Sequence, residues 1–143
     1  MDVFNSMKIS ASALKAQQIR LNTISSNLAN IETTRTPEGG PYKKREVVFQ
    51  TSSPSFANSF DLSMGKYAEG VEVAEIKPSD KPPRVVYNPS HPDADESGNV
   101  ALPNINLLEE IADMTSATRA YDANVTAIKS AKRMALKALE IGK

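Results

Sequence analysis

The sequence predicts a mainly α-helical fold with a small β-rich middle. Long N- and C-terminal helices pair as an antiparallel coiled coil, and a proline-rich, partly β excursion lies between them. Three observations carry this expectation. All nine prolines fall between Pro37 and Pro103. Five of the six glycines fall there too, leaving only Gly142 outside. Both flanks repeat apolar residues at spacings of three, four and seven. Proline inside a helix removes a donor and clashes with the preceding turn, so its absence from both ends marks them as helical. The expected organisation is an axial helix over 1–31, a proline-rich loop and short-strand region over 32–105, and a second axial helix over 106–143.

In the first helix, Met7, Leu14, Leu21 and Leu28 recur every seven residues. Ile24 and Ile31 fall three residues after members of that series. This is a heptad seam, with Ser10 and Gln17 standing at its weaker half. Ala11, Ala13 and Ala16 favour helix and permit close approach of a neighbour.

The second helix has clearer signals. Pro103 precedes Asn106, which can cap the helix, with Glu109 three residues on. Glu109, Glu110 and Asp113 occupy the first turns, and Lys129, Lys132, Arg133 and Lys137 the last ones, each with the sign that the helix dipole favours. Ile111, Met114, Tyr121, Val125, Ile128 and Leu139 form an apolar seam, broken by Thr118 and Lys132. Ala117, Ala120, Ala127, Ala131, Met134 and Ala138 form a second stripe beside it. A helix pair buries one stripe per member. The alanine stripe is therefore expected to remain over, either for a further partner or for the middle segment folding back on it.

Within the middle, Arg45–Phe49, Gly70–Ile76 and Arg84–Tyr87 read as short strands. Thr51–Gly65, rich in Ser and Asn, reads as a flexible loop or a segment ordered on contact.

Composition excludes several classes. Across 143 residues, 17 basic side chains balance 17 acidic ones, which argues against a nucleic-acid binder working by phosphate neutralisation. The absence of cysteine excludes disulfides, thiolate zinc sites and cysteine nucleophiles, and a single His excludes a His-rich metal site. No apolar run approaches the roughly 18 residues of a membrane span. The N-terminal residues lack the pattern of a cleavable signal peptide.

Candidate chemistry is sparse. Asp93-Ala94-Asp95-Glu96-Ser97-Gly98 matches the opening half of a calcium loop, but Asn104 stands where a bidentate Glu is needed. The alternative is an acidic turn before a capped helix. His91 reads as a turn residue. Lys43-Lys44-Arg45 reads as a solvated strand end or as a salt-bridge partner for an acidic neighbour. No catalytic residue, cofactor site or metal set is assembled.

The most informative run is Ser25-Ser26-Asn27-Leu28-Ala29-Asn30-Ile31-Glu32-Thr33-Thr34. Asn27 and Asn30 sit three apart, so both amides can face one side. Alone, the run also fits an ordinary helix ending with Asn30 as cap. It resembles the N-terminal signature of the flagellar rod and hook family. Thr33-Thr34-Arg35-Thr36-Pro37-Glu38-Gly39-Gly40-Pro41-Tyr42 resembles the proximal-rod type of the flagellar basal-body rod proteins. Two further stretches agree: Val86–Asp95 through Val100, Pro103 and Asn104, and the Arg119-x-Tyr121-x-x-Asn124 motif of the last helix.

The resemblance implies a structural axial subunit that assembles helically through its terminal helices into the drive shaft carrying torque from motor to hook. It implies partners among copies of itself, other rod proteins and the flagellar type III export apparatus, with no nucleic acid, no membrane span and no cofactor. It implies a location in the basal-body rod crossing the periplasm, reached without a cleaved signal. Expected subunit-interface residues are Met7, Leu14, Leu21, Ile24, Asn27, Leu28, Asn30 and Ile31 on the first helix. On the second they are Ile111, Met114, Arg119, Tyr121, Asn124, Val125, Ile128 and Leu139. The alternatives are a free-standing helical adaptor or export chaperone, or another axial protein of the distal rod or hook.

Overall fold

The computed structural model describes residues 3–52 and 69–141. Helix α1 spans Val3–Ala29 and helix α2 spans Leu107–Ile141. Between them lie two antiparallel hairpins. Strand β1 (Arg45–Thr51) pairs with β2 (Val71–Pro78), and β3 (Arg84–Tyr87) pairs with β4 (Asn99–Leu102). The loop expected over Thr51–Gly65 lies, beyond Ser52, outside the described residues.

The layers are hairpin β1–β2, then α1, then α2. The first hairpin lies along α1. Arg45 sits at Asn27, the Arg20 guanidinium stands 6.0 Å from the Phe49 ring centroid, and the Val71 amide donates to Ser12 Oγ at 3.1 Å. The lengths agree: six strand steps cover about 20 Å, and the 15 helical steps from Ser12 to Asn27 cover about 22 Å. The register shifts between Val48 and Phe49, which face Glu75 and Val73, so Ala74 forms a bulge. Among the described residues α2 packs on no other helix or strand than α1.

The alignment of α2 shifts the expected seam by part of its width. Ala117 is 0% exposed and Ala131 is also buried, whereas Ile111 is 47% exposed and Leu139 more so. Met114, Tyr121, Val125 and Ile128 of the expected seam are half-buried beside them. Of the alanine stripe expected to be left over, Ala117, Ala120 and Ala131 are wholly or partly covered, while Ala127, Met134 and Ala138 stay exposed. The reason lies on α1, whose buried residues are Ser10, Ala16, Thr23, Ile24 and Asn27. Small facing residues let the two backbones approach closely. A polar Asn27 requires a polar partner, and Glu110 rather than Ile111 supplies it.

Strand β4 was not expected from the pattern. The acidic stretch before it closes the second hairpin. Asp95 Oδ1 accepts from the amides of Ser97 at 2.9 Å and Asn99 at 2.8 Å, and Gly98 takes φ +77, a left-handed conformation that glycine adopts without strain. Asn106 caps α2 as expected, its Oδ1 accepting from the Leu108 amide at 3.0 Å. The last turn of α2 carries no basic residue, since the helix continues to Ile141 past Lys137.

Candidate functional site

The end of α1 and the start of α2 meet around a buried polar cluster. Its construction begins with the helix ending. Asn30 Nδ2 donates back to the Ser26 carbonyl at 2.8 Å, and Thr33 Oγ1 donates to Asn30 Oδ1 at 3.1 Å. The chain then reverses over Thr36–Gly40: the Gly39 amide donates to the Thr36 carbonyl at 3.0 Å and the Thr36 amide to the Gly40 carbonyl at 2.9 Å. Gly39 and Gly40 take φ +90 and +76, which side chains with a Cβ rarely adopt. A bond from the Tyr42 amide to the Thr33 carbonyl at 3.0 Å closes the reversal. The turn returns Tyr42, Lys44 and Arg45 to the last turns of α1.

Asn27 receives them with its full bonding capacity. Its Nδ2 donates to the Arg45 carbonyl at 2.9 Å and to Glu110 Oε2 at 3.1 Å. Its Oδ1 accepts from the Arg45 amide at 2.9 Å and from Tyr42 OH at 3.1 Å. Glu110 is 1% exposed. Its Oε1 receives no hydrogen bond of good angle and is neutralised by the Lys44 ammonium, 2.7 Å away. The Lys44 side chain is 18% exposed. Burial alone would lower its pKa. The close contact with the Glu110 carboxylate and the charges of Glu46 and Glu109 outweigh that, and the ammonium is held above its ordinary range.

Of the sequence-predicted residues, Ile24 and Asn27 lie inside the chain. Met7, Leu14, Leu21, Leu28, Asn30, Ile31, Met114, Tyr121, Asn124, Val125 and Ile128 are half-buried. Ile111, Arg119 and Leu139 are exposed. The Asn124 amide bonds to its own helix, at the Ala120 carbonyl. Sequence reasoning missed Glu110 and Tyr42 as partners of Asn27. Glu110 reads equally well as a dipole-compensating acid, and nothing in the pattern separates the two roles. Lys44 is the salt-bridge partner rather than a solvated strand end.

Two of the three Asp93–Gly98 carboxylates are engaged elsewhere. Asp93 accepts from Thr34 Oγ1 at 2.8 Å and pairs with Arg35 at 2.9 Å, while Asp95 holds its turn. Among the described residues no three His, Cys, Asp or Glu side chains cluster to hold a metal, and no helix is long and apolar enough to cross a membrane.

What remains uncovered on α2 are large apolar side chains at its two ends. Leu107, Leu108, Ile111, Met134, Leu136, Leu139 and Ile141 are exposed, with Leu108 at 77%. Paired terminal helices with bare apolar side chains at both ends of α2 define a building block.

Comparison with known proteins agrees with that class. Residues 7–35 match the family described as flagella basal body rod protein, and residues 96–141 match the flagellar basal body rod FlgEFG protein C-terminal family. The flagellar basal-body rod protein FlgC of Bacillus subtilis is 43% identical, over 100% of both chains. That of Borreliella burgdorferi is 42% identical, over 99% of this chain and 98% of its own. That of Salmonella typhimurium is 39% identical, over 99% of each. The chain belongs to the FlgC family of flagellar basal-body rod proteins.

Proposed function

We propose that this chain is a structural axial subunit of the flagellar proximal rod, without catalytic activity, exported by the flagellar type III apparatus and placed in the part of the basal body that crosses the periplasm. Its terminal helices form an antiparallel coiled coil. Two cross-helix pairs support that orientation: Asn27 with Glu110, and Arg20 with Asp113 at 3.4 Å, so that descending α1 ascends α2. The exposed side chains of α2 pack against other copies and other rod proteins. Such a contact joins different surfaces of successive subunits and does not close, which generates a helical shaft able to carry torque from motor to hook.

The observation that carries this reading is the set of uncovered apolar side chains at the two ends of α2. Monomeric proteins rarely leave so many large apolar side chains of one helix bare. The expected interface residues Ile111 and Leu139 are among them, and Arg119 is exposed on the same helix.

The test is incorporation. Leu108→Asp or Leu139→Asp, introduced in cells lacking the native subunit, is expected to leave the chain expressed and its isolated fold intact while abolishing complete basal bodies in electron micrographs. Normal basal bodies and motility with both substitutions together would remove the ends of α2 from the mechanism.

A further inference from the structure

We infer that Asn27, Lys44 and Glu110 form a register lock: they determine which residues of α1 face which residues of α2. The inference concerns the folded chain itself and does not rest on the assembly reading.

The seam between the helices specifies alignment poorly by packing alone. Its buried members are mostly small, with Ser10, Ala16 and Thr23 beside Ile24 on α1, and Ala117 and Ala131 on α2. Ala117 and Ala131 are two heptads apart, and Asn124 and Ala138 continue their series. Sliding one helix by a heptad, about 10 Å along the axis, brings the next member of that series, Ala or Asn, to the place the last one left. A flat, repeating seam distinguishes such alignments weakly, and a buried polar group is the device that does so in coiled helices.

The cluster has the properties that role requires. It joins three segments distant in sequence, with Asn27 and Glu110 separated by 83 positions. Asn27 and Glu110 are each 1% exposed, so water cannot replace a lost partner. In a pair slipped by one heptad, Ala117 stands opposite Asn27. The amide then loses an acceptor, and Lys44 and Glu110 are separated. The other cross-helix pair, Arg20–Asp113, has side chains 31% and 50% exposed and can follow a slip through solvent. The lock also fixes, along the shaft axis, where the Leu107–Ile111 shoulder and the distal end of α2 stand relative to α1.

The test exploits a chain without native cysteine. Asn22→Cys on α1 and Lys129→Cys on α2, both exposed, carry spin labels for double electron–electron resonance on the full chain. The otherwise unchanged chain is expected to give one narrow distance. Glu110→Leu with Lys44→Met is expected to keep the helix content by circular dichroism and to add a second distance population from helices slipped by about 10 Å. Glu110→Gln, which still accepts from the Asn27 amide, is expected to keep the single distance. An unchanged single distance in the Leu/Met variant would overturn the lock. Loss of the helix pair in that variant would overturn it too, because the cluster would then supply stability instead of alignment. A broad distribution in the chain bearing only the two labels, or a split one in Glu110→Gln, has the same consequence.

Discussion

Helices α1 and α2 are both long and both moderately amphipathic, yet they end in opposite situations. Helix α1 is covered on two sides, by hairpin β1–β2 and by α2, and Phe4 is its one large apolar side chain left substantially exposed among the described residues. Helix α2 is covered on one side only and exposes seven. The difference lies in what the intervening segment does. The Gly39–Gly40 reversal sends the chain back along α1, so the first hairpin covers α1 and not α2. Apolar periodicity therefore reports that a face will be buried, without reporting whether the chain itself or a neighbour buries it.

The comparison breaks most visibly at the lock. Glu110→Ala leaves the Lys44 ammonium and one Asn27 donor without their partner, and is expected to cost about 3 kcal/mol, read as a lowered midpoint in urea or thermal unfolding. A loss under about 0.5 kcal/mol would mean that the buried pair is not formed in solution.

Next in size is the contrast between covered and bare faces of α2. Ala117→Leu forces a larger side chain into a filled seam and is expected to cost about 2 kcal/mol. Ala127→Leu, on the exposed side, is expected to stay within about 0.5 kcal/mol of the parent. Equal costs would return the seam to the position that the spacing of Ile111, Val125 and Leu139 suggests.

A smaller effect is linked to protons. Lys44 is held above its ordinary value of 10.5 in the folded chain. A raised folded pKa contributes stability that is fully present below the unfolded value and is lost as pH rises through the folded one. Stability measured from pH 9 upward is thus expected to fall beyond about 10.5, and Lys44→Met is expected to flatten that fall. An unchanged alkaline slope in Lys44→Met would assign the loss to other lysines.

Smallest in the isolated chain, and decisive in the cell, are changes among the bare side chains. Leu108→Asp is expected to alter isolated stability by less than about 0.5 kcal/mol. Its effect belongs to incorporation, scored by basal bodies per cell.

Much of this fold was legible in the residues. Proline placement bounded both helices, Asn106 announced the start of α2, and three strands followed from short β-branched runs, one of them alternating. Strand β4 was not legible because four residues, Asn99–Leu102, carry too little pattern; the Asp95 turn and Gly98 create the hairpin that pairs them. The seam on α2 was legible in part: Met114, Tyr121, Val125 and Ile128 are half-buried, but its centre runs through Glu110, Ala117 and Ala131, since spacing cannot tell which of two adjacent stripes a partner prefers. A single polar demand, Asn27 for Glu110, made that choice. The cluster itself was half visible: Asn27 and Lys44 stood out, and Glu110 was hidden among the acids that any helix start favours.

Hydrogen–deuterium exchange along α2, in the purified chain and in basal bodies, probes the division between these helices most directly. The account predicts slow exchange around Ala117 in both, and slow exchange over 132–141 only within the basal body. Equal protection of 132–141 in the chain alone would contradict it.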